Sequence, residues 1–181
     1  MTSWPWGRAP HPATPRPAWS TDPMEPEQEF VIRDYKPTDH EAVVALNRYG
    51  LAAAGVPEDA DIYSGDLDGA GEGYLGGRSV MLVGEVKGDI VAMGGLREIG
   101  DTDCEVLRMR VRPEHQGRGL GRAILEALEA RARRLGYTRA VLVTGPDQHP
   151  AIDLYSASGY EQVEVEQYGG LIGVRMAKQL S

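Results

Sequence analysis

From residue 29 onward the apolar positions follow first one period and then another, and each change of period marks an element. Phe30-Val31-Ile32-Arg33 reads as a strand, and Thr38 or Asp39 behind it can cap a helix whose apolar side includes Val43, Val44 and Leu46. Between Gly50 and Gly77 the periodicity lapses into a long stretch rich in glycine and acid, which reads as surface. Val80 to Val86 and Ile90 to Leu96 are two apolar runs joined by the Lys87-Gly88-Asp89 turn, which predicts a hairpin. A further strand runs from about Cys104 to Val111 and is ended by Pro113. Leu120, Ile124, Ala127, Leu128 and Leu135 recur at helical spacing. Arg131, Arg133 and Arg134 gather at the end of that run before Gly136, as the helix dipole and a glycine stop favour. Ala140 to Val143 suits a buried strand, Ala151 to Ser158 a short helix closed by Gly159, and Gln162 to Gln167 with Leu171 to Met176 a last pair of strands. The pattern predicts an α/β (α+β) domain over residues 28–181, with a mixed sheet flanked by helices and no internal repeat.

Ahead of the domain, residues 1–27 hold Pro5, Pro10, Pro12, Pro15, Pro17, Pro23 and Pro26, seven of the chain's 12 prolines, with no apolar period among them. That composition predicts a disordered or weakly docked tail, with Trp4, Trp6 and Trp19 as residues able to dock on a groove. Met24 opens the segment leading into the first strand and is a candidate start of translation, which intact mass would check.

The formal charge of −8 repels phosphate backbones and attracts cations, so nucleic acid is not expected as a partner and an amine is. The single cysteine, Cys104, fits a reducing compartment, and no run approaches the ~20 apolar residues of a membrane span. A cytoplasmic protein with no membrane partner is the expectation. The histidines His11, His40, His115 and His149 lack ligand spacing, so no metal is expected.

Candidate chemistry concentrates in Val111-Arg112-Pro113-Glu114-His115-Gln116-Gly117-Arg118-Gly119-Leu120-Gly121-Arg122, between a strand and the strongest helix. Glycines at 117, 119 and 121 let backbone approach a ligand, and a helix start offers unpaired N–H groups and positive partial charge, a combination that suits a pyrophosphate. The same glycines also fit a turn that merely caps the helix. A P-loop needs Gly-Lys-Ser/Thr where this chain has Gly-Leu-Gly-Arg, and a dinucleotide fingerprint needs other glycine spacing.

The run Gln116-Gly117-Arg118-Gly119-Leu120-Gly121 matches Arg/Gln-x-x-Gly-x-Gly/Ala, the pyrophosphate signature of the GNAT superfamily of acetyl-CoA-dependent N-acetyltransferases, and the chain resembles that family. The likeness extends to Glu105 through Pro113, to Gly136-Tyr137 with Ala140 to Thr144, and to Ala151-Ile152-Asp153-Leu154-Tyr155-Ser156-Ala157-Ser158-Gly159-Tyr160, covering roughly residues 29–178. It implies a mostly antiparallel sheet of six or seven strands, splayed between the fourth and fifth after a bulge. It also implies acetyl-CoA as cosubstrate. Backbone near Met109, Arg110 and Val111 would then hold the pantetheine arm, and Gln116, Gly117, Arg118, Gly119, Leu120, Gly121 and Arg122 the pyrophosphate. Gln148 stands where relatives often carry Asn, and its longer amide can still reach the pantetheine.

An amine attacking a thioester must lose a proton, because alkyl ammonium groups have pKa ~10. The resemblance implies Glu105 as base, directly or through water, against the alternative that it pairs with a neighbour such as Arg108. Tyr155 matches the general acid that protonates the departing thiolate. Acyl transfer through Cys104 finds no activating histidine pattern in the sequence. Acceptor sites in relatives draw on the segment after the first helix and on the final strand pair, here naming Tyr63, Asp66 and Tyr168, with Tyr74 and further acids nearby. The expected activity is transfer of an acetyl group to a primary amine, small or on a protein, in a ternary complex. A non-catalytic module that binds acyl-CoA as sensor or partner is the alternative, and a homodimer stays open.

Overall fold

The computed structural model describes residues 29–53, 55, 67, 73–168 and 170–180 of the chain. The proline-rich tail and the predicted acceptor residues Tyr63 and Asp66 lie outside the described residues. The elements run β1 (Phe30–Asp34), α1 (His40–Ala53), β2 (Val80–Val86), β3 (Asp89–Glu98), β4 (Asp103–Val111), α2 (Leu120–Arg134), β5 (Arg139–Thr144), α3 (His149–Ala157), β6 (Glu161–Tyr168) and β7 (Leu171–Gln179). These strands form one sheet in the order β1-β2-β3-β4-β5-β7-β6, antiparallel at every junction except β4 with β5.

The hairpin of β2 and β3 sits near the middle of the sheet and is buried on both faces, which is why its apolar runs are continuous rather than alternating. On one face α2 lays Leu120, Ile124, Leu125 and Leu128 over Leu82, Val91, Leu96, Cys104 and Val106, with Tyr155 of α3 in the same core. On the other, Val43 and Leu46 of α1 pack with Met81, Val83, Met93 and Tyr74. Each such fully buried aliphatic side chain contributes about 1.5–3 kcal/mol of transfer free energy.

The first helix begins differently from the sequence expectation. Pro37–Asp39 form a 3-10 turn, and the Asp39 carboxylate points back rather than forward, accepting the Lys36 N–H (2.8 Å). It also takes both arms of the Arg33 guanidinium (2.7 and 2.9 Å), and Arg33 reaches on to Glu85 of β2. A charged partner on β1 outcompetes the helix's own amides for the carboxylate. The Arg33 bonds hold the Asp39 carboxyl below the ordinary aspartate range, against the opposing pull of burial. Stability from this cluster is therefore complete above the unfolded aspartate value of ~3.9 and is lost as pH falls through the lower folded value. Asp39→Ala is expected to cost about 2 kcal/mol at neutral pH. The gap in melting temperature from wild type should shrink as pH falls below ~4; a gap that stayed constant into acid would place the stabilisation elsewhere.

What positions the site is the way β4 leaves β5. Asp103, Cys104 and Glu105 pair with Arg139, Ala140 and Val141, and there the parallel ladder stops, while β5 continues along β7 as far as Thr144. On its other side β4 carries a bulge: Leu107 faces Gly95 and Arg110 faces Met93, so Arg108 and Met109 together oppose Gly94. Arg108 takes φ 57°, a left-handed conformation that a non-glycine residue adopts at a small energetic cost. A bulge bends its strand and raises the local twist, turning β4 away from β5. Gly94 makes room for this, since a Cβ there would stand 2.7 Å from the Met109 sulfur and 2.7 and 2.8 Å from Ile124 and Leu128. The seven-stranded, mostly antiparallel sheet with its fourth and fifth strands splayed is the predicted fold.

Candidate active site

Because β4 and β5 are parallel, both exit at the same end of the sheet, and the two connections that follow them flank the opening between the strands. Pro113–His115 turn the chain out of β4 as a 3-10 turn. The Gln116 side chain then reaches back, its Nε2 donating to the Val111 carbonyl (3.1 Å), and Arg118 donates to the His115 ring Nδ1 (3.1 Å). Gly117 and Gly119 have φ of 71° and 80°, and a Cβ at either would touch nothing within 4 Å. Glycine is required at both for the backbone conformation, not for space.

Gly119 is the N-cap of α2, and no side chain caps the helix. Ala123 N–H is the first to find an intrahelical partner, the Gly119 carbonyl (3.0 Å), so the amides of Leu120, Gly121 and Arg122 precede the hydrogen-bonded ladder. A buried apolar Leu120 anchors this end to the core. Gly121 lies between Leu154 of α3 and Val111 of β4, where a Cβ would make ordinary contacts at 3.5 and 3.6 Å. Although the chain carries a net charge of −8, five arginines fall between positions 108 and 122; of these Arg108 is buried and Arg110 lies against α1, while Arg118 and Arg122 flank the start of α2 in the chain. The uncapped amides that open α2 are a donor set that fits a diphosphate.

The other candidate residues lie on the strand and the connection beside this turn. Met109 and Val111 lie on β4 beyond the split, with the Met109 carbonyl accepting from Arg110 Nη1 (2.8 Å). Arg110 lies across α1 at Gly50, where a Cβ would stand 2.0 Å from its Cδ. Gln148, the N-cap of α3, makes no side-chain cap and stands in the connection leaving β5.

Glu105 occupies the last paired rung before the strands part. Its partner across the sheet is Arg97 of β3, directly opposite in register, whose Nε donates to Oε2 (3.1 Å) while Nη2 bonds the same oxygen more closely. The pairing foreseen with Arg108 goes instead to a residue made adjacent by the ladder. Since Leu96, Cys104 and Val106 belong to the α2 core, strand alternation puts Arg97 and Glu105 on the α1 face. Tyr74 joins them from the segment before β2, its ring 3.1 Å from where a Gly95 Cβ would be. Tyr155 is buried on α3, its ring edge-on to Tyr160 with centroids 6.0 Å apart. Cys104 is fully buried, and desolvation pushes its thiol up to about 12. A thiol so placed stays protonated at neutral pH, so acyl transfer through it has no nucleophile.

This arrangement of uncapped helix and splayed strands agrees with the family comparison. The model of the acetyltransferase (GNAT) family matches residues 51–160, more than half of the chain. The chain belongs to the GNAT acetyltransferase family.

Among relatives, N-acetyltransferase family 8 member 2 of Rattus norvegicus is 30% identical over 102 residues, covering 54% of this chain and 45% of its own. The chain thus spans about half the length of the rat relative. Among solved structures, a GNAT-family acetyltransferase from Staphylococcus aureus Mu50 superimposes with a TM-score of 0.76 at 15% identity, covering 84% of this chain and 100% of that one. The putative acetyltransferase yncA of Salmonella typhimurium, solved with its cofactor acetyl-CoA, gives a TM-score of 0.67 at 23% identity, covering 84% and 95%.

Of the acceptor residues suggested by GNAT resemblance, Tyr168 lies in β6 opposite Leu171, and nothing is described of its side chain. Two features of this GNAT site escaped the sequence reading. Arg97 follows Leu96 with no local signal, and only register brings it to Glu105. The Gly94-Gly95 pair was visible as composition, and one glycine in a strand is a known mark of a bulge or a close approach. Among the described residues no three His, Cys, Asp or Glu side chains gather as a metal site, and no helix is long and apolar enough to cross a membrane.

Proposed function

We propose that the protein transfers an acetyl group from acetyl-CoA to a primary amine in a ternary complex. The single observation that carries the reading is the uncapped N-terminus of α2, preceded by two left-handed glycines, with Gly121 of its first turn set between Val111 of β4 and Leu154 of α3. Main-chain amides of residues 117–122 would bind the pyrophosphate, aided by Arg118 and Arg122. The β4 backbone from Met109 to Val111, with Gln148 opposite, would hold the pantetheine arm and so direct the thioester toward Glu105.

In this reading Glu105 accepts the ammonium proton, directly or through a water. The neutral nitrogen attacks the thioester carbonyl, the new C–N bond forms, and the C–S bond breaks as the tetrahedral intermediate collapses. Tyr155 gives its phenolic proton to the departing sulfur, so that CoA leaves as the thiol, and the second proton of the attacking nitrogen, passed on through water, restores the phenol and leaves a neutral amide. Each proton transfer of this kind contributes typically ~10²–10⁴-fold. Glu105→Gln keeps the size of the side chain and removes the proton acceptor; kcat is expected to fall about 10²-fold with the KM for acetyl-CoA unchanged.

The test of function is release of free CoA thiol when acetyl-, propionyl- and succinyl-CoA are each mixed with a pool of alkylamines, amino acids and short peptides. Amine-dependent thiol release, greatest with acetyl-CoA, is expected. Tight binding of acetyl-CoA without turnover of any amine would replace the enzyme by an acyl-CoA-binding module.

A further inference from the structure

The ion pair at the last rung of the β4–β5 ladder differs from several others on the sheet in how the carboxylate is used. Asp39, Glu129 and Glu166 each have both oxygens engaged, by Arg33, by Lys178 and by Arg175 respectively. Those pairs saturate the carboxylate and act as clasps. Glu105 receives both Arg97 donors on Oε2, and Oε1 takes no hydrogen bond among the described residues. Asp34, Glu85 and Glu98 share the one-oxygen geometry, with Arg131, Arg33 and Arg78, but Asp34 and Glu85 lie on β1 and β2 at the far side of the sheet from the split, and Glu98 lies one rung short of Glu105 on the α2 face.

We propose that Arg97 is a positioning residue for the reaction, fixing Glu105 through Oε2 so that Oε1 is presented at the mouth of the β4–β5 split to the amine or to the water that takes its proton. This rests on the reading of Glu105 as base. A glutamate has three side-chain torsions to fix, and a planar guanidinium holding one oxygen by two N–H groups removes most of that freedom without occupying the second oxygen. The Arg97 side chain is 50% exposed and that of Glu105 20%, so the pair is in solvent reach and adds little to stability. Its consequence is geometric instead, since small misplacement of a reacting group costs as much as ~10²-fold in rate. The placement is possible only because β3 and β4 are still in register at this rung: the bulge that begins three residues on, at Arg108, would carry the two side chains apart.

The experiment is a double-mutant cycle on the full chain, with kcat and KM measured using acetyl-CoA and the amine pool that supports thiol release. Arg97→Ala is expected to lower kcat about 10-fold, with the KM for acetyl-CoA and the melting temperature little changed and Arg97→Lys recovering part of the rate. Arg97→Ala placed on Glu105→Gln should cost nothing further, because Arg97 acts through the carboxylate. If Glu105→Gln is slow but Arg97→Ala runs at the wild-type rate, or if the two losses multiply in the double variant, the positioning role is overturned and Glu105 as base survives. If Glu105→Gln runs at the wild-type rate, the base reading itself falls.

Discussion

Replacement of Tyr155 by phenylalanine is expected to lower kcat about 10²-fold while leaving acetyl-CoA affinity within a factor of two or so. The substitution is a clean probe because of where the ring lies. Tyr155 is 7% exposed in the core beneath α2 and α3, and its edge-on contact with Tyr160 involves ring carbons that phenylalanine keeps. Only the hydroxyl is removed, so packing and the α3 geometry persist and a loss of rate reports the proton delivered to sulfur. Steady-state kinetics beside calorimetric titration of acetyl-CoA separate the alternatives. If affinity and kcat fell together, or the melting temperature collapsed, Tyr155 would be a packing residue and another group would have to protonate the thiolate.

Gly119→Val attacks the other half of the site. The native φ of 80° lies where a β-branched residue is strained, so the variant either bears ~1–2 kcal/mol of strain or turns the amides that open α2 away from the ligand. Loss of one hydrogen bond to a charged group adds ~1.5–3 kcal/mol. Strain shared by the free and bound forms cancels, so the lost bond sets the effect on binding and raises the dissociation constant for acetyl-CoA up to roughly 100-fold, at ~1.4 kcal/mol per decade. Because a Cβ at this position meets nothing in the protein, the fold itself should survive, and the defect should appear in donor binding rather than in melting temperature. Unaltered affinity would show that these amides do not hold the donor.

The elements were legible because local and global demands agree along most of the chain. Leu120, Ile124 and Leu128 recur at helical spacing and are fully or nearly fully buried; Gly136 ends the helix with φ 86°. The tight Lys87-Gly88 turn, with φ of 54° and 87°, joins β2 and β3 where two apolar runs meet. The glycine turn ahead of α2 could be read as a backbone feature as well, since Gly117 and Gly119 are two residues apart and both take the left-handed conformation at the helix start. What could not be read depends on partners brought together by register. Asp39 looked like a helix cap because the choice between helix amides and Arg33 is decided by the β1–α1 packing. Glu105 could be given a neighbour only by guess, since Arg97 lies eight residues away across a hairpin whose register is set by the turn between β3 and β4, and that turn carries no clear sequence signal. The acceptor side is the least legible part: Tyr63, Asp66 and Tyr168 were named from the family resemblance and from composition, and neither fixes which side chains meet an acceptor.

The most direct measurement is an amide NMR titration of isotope-labelled protein with acetyl-CoA, set beside acetyl-pantetheine, which lacks the pyrophosphate. The account predicts that acetyl-CoA moves the amides of Gly117, Gly119, Leu120 and Gly121 most strongly and that acetyl-pantetheine leaves those four nearly unmoved. Largest shifts on the β6–β7 hairpin or on the β1 edge, with the four amides unchanged by acetyl-CoA, would contradict it.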